Sequence, residues 1–127
     1  MKPMKLLFLI LLLQPASVNA VDENGDYVSI IARGLNSCGH FVETRNQARM
    51  GQDGDENRYS NWLAGYLTGY NAWVPATYDI RGREKMLGIM VWLEDYCKAH
   101  PRDKFTEAME RLIAELHPKR IRLSPRQ

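Results

Sequence analysis

The chain of 127 residues holds two cysteines, Cys38 and Cys97, so an intramolecular bridge has a single pairing open to it. Such a bridge constrains the fold more than any other feature of the chain. In the chain-entropy account, closing a loop of about 60 residues restricts the unfolded state by roughly 4 kcal/mol. Whether two thiols oxidise depends on the compartment, and the N-terminus speaks to that. Lys2 and Lys5 come first, then the apolar run 6–13, then Pro15 and a small-residue stretch ending Val18-Asn19-Ala20. Positive, apolar, then cleavable is the order of a secretory signal peptide, so 1–20 is expected to be removed after Ala20. The run is about eight residues against the roughly 20 that cross a bilayer, so no integral membrane segment is expected once the leader is cleaved. The reading is an exported, periplasmic domain over 21–127, with a core at about 37–117, a basic tail at 118–127 and a Cys38–Cys97 disulfide.

Removal of the leader takes Lys2 and Lys5 and no acid, which leaves 15 basic against 15 acidic residues. The charge is uneven along the chain. From 22 to 56 there are seven acids and three arginines, and from 58 onward twelve basic residues and eight acids. The basic end, Lys119, Arg120, Arg122 and Arg126, is short and has no interleaved aromatics. It reads as a solvated tail, and nucleic-acid binding is not expected.

Four helices account for the apolar spacing. Residues 22–36 start polar and irregular, with the patch Tyr27-Val28-Ser29-Ile30-Ile31 placed to dock on a core. Ser37 suits the N-cap of a helix running to about Met50, with Cys38, Phe41, Val42 and Ala48 inward and Gly51 as its stop. Residues 51–57 have the composition of a solvated turn. The second helix carries Tyr59, Trp62, Leu63, Tyr66, Leu67 and Tyr70 on one face. Gly65 and Gly69, with Ala64 and Thr68, form a neighbouring strip of small side chains. Each helical glycine costs roughly 1 kcal/mol relative to alanine, so a close helix approach is expected there, from within the domain or from a second copy in a homodimer. Pro75 breaks the pattern, which makes 71–83 an extended connection. A third helix is expected over 84–99, broadly apolar, with Trp92 and Tyr96 one turn apart and Cys97 near its end. Pro101 suits the first turn of a fourth, in which Phe105, Ala108, Met109, Leu112, Ile113 and Leu116 repeat the spacing until Pro118. No alternating run competes, so the class is all-α, with Cys97 joined back to the first helix.

Catalytic and metal chemistry find little support. Asp53, Asp55 and Asn57 open like an EF-hand loop, but the sixth position is Arg58 rather than glycine and the twelfth is Ala64 rather than glutamate. Cys97, His100 and Asp103, or Cys38 with His40, lack the spacing of a zinc site or a thiol hydrolase. His40, His100 and His117 are scattered, and no nucleophile, base and orienter assemble in sequence. No metal, cofactor or enzymatic activity is expected.

The segments Ser37-Cys38-Gly39-His40-Phe41, then 62–71 with Trp62, Gly65, Tyr66, Gly69, Tyr70 and Asn71, then Trp92-Leu93-Glu94-Asp95-Tyr96-Cys97 and His100-Pro101 resemble the Rap/Tai group of immunity proteins. These small exported helical proteins protect bacteria against cell-wall amidase effectors delivered by type VI secretion. More remotely the chain is similar to the HdeA acid-stress chaperones, which are helical, periplasmic and carry one disulfide. The resemblance covers about 37–116 and rests on glycines, aromatics and cysteines, which are fold residues. It implies a small four-helix, HdeA-like domain that inhibits a peptidoglycan amidase stoichiometrically. The alternatives are an acid-stress chaperone or another envelope binding role on the same fold. A rigid scaffold would present either the acidic loop 52–57 or the connection 73–83 as a plug. The acidic loop is the first choice, because Asp53, Asp55 and Glu56 would meet a basic rim and speed encounter.

Overall fold

The computed structural model describes residues 23, 24, 26, 28 and 32–125. The leader read over 1–20, all but Val28 of the patch 27–31, and Arg126 lie outside the described residues, and Val28 itself is exposed. Among the described residues the domain is all-α: α1 (Ala32–Leu35), α2 (Cys38–Arg49), α3 (Gly54–Trp73), α4 (Met86–Ala99) and α5 (Phe105–Leu116), with a 3-10 turn at His117–Lys119. Four of these are the expected helices; the short α1 is additional. None of them is long and apolar enough to cross a membrane.

Local chemistry sets the ends of α2. Ser37 is its N-cap, with the hydroxyl accepting the His40 N–H at 3.2 Å, and Gly51 stops it at a left-handed φ of +86°. Cys38, Phe41 and Thr44 then face inward. The start of α3 corrects the expected turn over 51–57: the helix begins at Gly54, five residues before Tyr59. Asp55 and Glu56 look like loop residues by composition, yet carboxylates in a first turn complement the positive end of the helix. The same helix runs on to Trp73, past the expected end, until Val74 turns extended ahead of Pro75.

The expected start of the last helix at Pro101 is also corrected. Phe105 begins α5, because the backbone of 101–104 is used elsewhere. Cys38 N–H donates to the Asp103 carbonyl at 2.8 Å, Gly39 N–H to the Pro101 carbonyl at 2.9 Å, and Phe105 N–H to the Asn36 carbonyl at 2.9 Å. This turn therefore closes against the start of α2. Beside it the Cys38–Cys97 disulfide, with both cysteines fully buried, joins α2 to α4. The core above the bridge is an aromatic trio, Phe41, Tyr59 and Phe105, with ring centroids 4.7–4.9 Å apart. Leu63, Leu67, Ile89, Leu93, Met109 and Leu112 complete it.

The glycine strip on α3 does not meet another helix. Gly65 is exposed, and a Cβ built on Gly65 or Gly69 touches nothing within 4 Å, so the close approach expected within the domain is absent. Gly65→Ala and Gly69→Ala are therefore each expected to stabilise the monomer by about 0.5–1 kcal/mol, the helix-interior penalty of glycine. Chemical denaturation reads this directly, and a loss of stability on Gly69→Ala would point to a partner on that face.

Candidate protein-binding site

The acidic residues expected to face a partner are largely engaged inside the domain. The Asp55 carboxylate pairs with Arg33 at 2.6 Å and with Arg58 at 3.2 Å, and His40 Nε2 lies 3.8 Å away. Glu56 pairs with Arg45. Only Asp53, just ahead of α3, keeps the exposed position expected of all three. Arg45 also reaches Glu94 on α4, at 3.0 Å, and Arg49 and Lys98 close on the same carboxylate at 2.6 and 2.8 Å. Burial pushes the Glu94 carboxyl up, but hydrogen bonds from Arg49, Lys98 and Arg45 outweigh it and bring its pKa down to about 2. Glu56, Arg45 and Glu94 thus form a charged seam that joins α2, α3 and α4. A reversal of charge at 55 or 56 would disturb this framework, so those positions are poor probes of binding alone.

The connection after α3 is arranged differently. Trp73 at the end of α3 is 83% exposed, and Tyr78 is 48% exposed. Between them Pro75 and Ala76 are exposed too, and Ala76 holds a left-handed φ of +53°, a conformation that costs a non-glycine residue about 1–2 kcal/mol. The segment from 74 to 83 is nevertheless clamped. Ile80 is fully buried, and its N–H donates to the Asn71 side-chain oxygen at 2.7 Å. The Arg81 guanidinium grips the Asp79 carboxylate at 2.8 and 3.1 Å and holds that carboxyl below its ordinary pKa. Tyr78 and Asp79 donate their N–H groups to the Ile121 carbonyl, and Ile121 returns its own to Asp79.

Arg120 completes the clamp. Its Nε donates to the Ala76 carbonyl and the Thr77 hydroxyl, both at 3.1 Å, while its Nη1 donates to the His117 carbonyl at 2.6 Å. Gly82 is required by contact: at a φ of +63° a Cβ would sit 2.6 Å from the Lys119 carbonyl oxygen. This corrects the solvated tail expected over 118–127, since Arg120 and Ile121 fasten the loop. No known protein family, curated protein or solved structure matches the chain.

The aromatic, glycine and histidine–proline segments singled out in the sequence mostly support this frame. Trp62 packs on Tyr66 and Phe105, and Tyr70 hydrogen-bonds His117 at 2.7 Å. Burial, with Arg120 and Arg122 nearby, pushes the His117 imidazole below its ordinary pKa. Asn71 holds Ile80 in the loop, and the Pro101 carbonyl holds Gly39. Trp92 stacks on Tyr96 with rings 9° apart, and the Tyr96 hydroxyl donates to Asp103 at 2.7 Å.

His40 pairs with the hydroxyl of the fully buried Tyr59, and His100 stacks on Tyr96. The three histidines stay on separate elements, as their sequence positions foretell. Among the described residues no group of three or more His, Cys, Asp or Glu side chains gathers in a metal-holding arrangement. Sequence reasoning undervalued Arg120, Ile121 and Asn71. Their signal is faint, because each fastens a loop residue nine or more positions away in the chain.

Proposed function

We propose that the protein is an exported binding protein that acts by stoichiometric occlusion of a partner in the cell envelope, with the loop 73–83 as its plug. The observation that carries this reading is the pairing of an exposed Trp73 and a left-handed Ala76 with a loop backbone clamped by Asn71, Arg120 and Ile121. A tryptophan held clear of the surface is a strong anchor for a protein pocket. A loop already ordered before contact meets less entropic cost on binding. Non-glycine left-handed residues persist where the surroundings over-determine them, and such places are often functional.

The partner class follows from the resemblance to the Rap/Tai immunity proteins: a peptidoglycan-cleaving amidase. Export rests on the leader read over 1–20 and is compatible with the Cys38–Cys97 disulfide. Titration of the mature protein into such amidases should abolish cleavage linearly up to one equivalent, with no turnover of the inhibitor. Suppression of the aggregation of unrelated proteins at low pH, with no effect on any amidase, would replace this reading with the chaperone one.

Trp73→Ala is the sharpest variant. It should weaken binding by about 30-fold or more, the scale of an interface hot spot. The denaturation midpoint should hold, because the side chain is 83% exposed.

A further inference from the structure

The cleft between α4 and α5 has no part in the loop or its clamp, apart from sharing Lys119. Its floor is apolar, made by the buried Ile89, Leu112 and Leu116, and the Trp92 indole forms one wall. The mouth is acidic. Glu115 accepts the Trp92 indole N–H at 3.0 Å, and the Glu84 carboxylate lies over Gly88, where a Cβ would stand 3.1 Å from its Oε2. Gly88 thus leaves room for that carboxylate at the opening. Lys119, largely exposed, also lines the cleft and reaches Glu115 at 3.5 Å.

We propose that this cleft binds the side chain of a lysine carried on the surface of a protein partner. The cleft opens about 120 Å³ to water, room enough for an unbranched side chain. A stem of methylenes suits the apolar floor, while an ammonium prefers the wet, charged mouth. Glu84 supplies an acceptor there, and Glu115, already shared by the Trp92 indole and Lys119, can exchange Lys119 for the incoming ammonium. A protein is the source because Leu87 and Val91, 70% and 44% exposed on the same helix, leave apolar surface near the cleft for a partner to cover. The assignment stands apart from the loop, since neither Trp73 nor Ala76 lines the cavity.

The Trp92 indole N–H reports on the cleft in a proton–nitrogen correlation spectrum of the mature protein. Nα-acetyl-lysine N-methylamide should shift that signal saturably. The norleucine analogue, with the same four carbons and no ammonium, should bind at least about tenfold more weakly. Glu84→Gln, at an exposed position that the fold does not need, should weaken the lysine probe about threefold to tenfold, and Glu115→Gln is a second check. Equal binding of the norleucine analogue would make this a merely apolar cleft and overturn the proposal. So would a lysine response that never saturates, or one untouched in both glutamine variants.

Discussion

Glu94→Gln is expected to cost the domain about 3 kcal/mol at neutral pH. Its carboxylate, 3% exposed, holds Arg45, Arg49 and Lys98, and Glu94→Gln removes the one charge that all three cations share. The depressed pKa leads to a similar figure: a drop from 4.5 to about 2, at 1.36 kcal/mol for each pKa unit, is about 3 kcal/mol. The sign follows from linkage. A carboxyl whose folded pKa is lowered contributes fully above its unfolded pKa and loses that contribution as pH falls through the folded value. The difference in stability between the native chain and Glu94→Gln should therefore be constant above about pH 5 and shrink toward zero near pH 2. Urea titrations across that range measure it, and a gap that ignores pH would refute the role given to the seam. The same chemistry bears on the chaperone alternative. The low pKa of Glu94 would keep the α2–α4 ion pairs charged through mild acid, which weighs against acid-triggered opening at that junction.

Loss of the disulfide is expected to have the largest effect of all. Cys38 and Cys97 are separated by 59 residues, and the loop they close restricts the unfolded chain by roughly 4 kcal/mol. Both cysteines are fully buried in the same core cluster as Phe41 and Phe105, so the paired Cys38→Ala, Cys97→Ala variant loses packing as well as the tie. For a domain of this size that is a large share of the total stability of 5–15 kcal/mol. Reduction should lower the denaturation midpoint in step, and alkylation followed by mass measurement should find no free thiol before reductant is added. Two labelled thiols in freshly exported material, or a midpoint indifferent to reductant, would contradict the bridge.

How far the fold was legible depended on the range of the forces involved. The ends of α2 were readable because Ser37 and Gly51 act on their own neighbours, and the bridge because no other cysteine competes. The stripe of Tyr59, Leu63 and Leu67 was readable from its period. The early start of α3 was not, because Asp55 and Glu56 serve a turn and a helix N-terminus equally well in composition. Gly65 and Gly69 misled for a related reason: a propensity penalty says that a residue is costly, not that a neighbour offsets the cost. Of the two loops weighed as a partner surface, the acidic one was favoured on net charge, which does not say which acids are engaged within the domain. What separates them is non-local. Arg33 and Arg45 engage the acids, whereas Arg120 and Ile121 arrive from the far end of the chain to fix 74–83 around an exposed Trp73.

In the function proposed above, Trp73 and its clamped loop engage an envelope protein. Capture from envelope extracts with the mature protein and with Trp73→Ala as parallel baits, read by mass spectrometry, tests it most directly. A peptidoglycan amidase is expected at one-to-one stoichiometry on the native bait and absent from the variant, while both baits unfold at the same denaturant concentration. An amidase held equally by both baits, or none held by either, would contradict it.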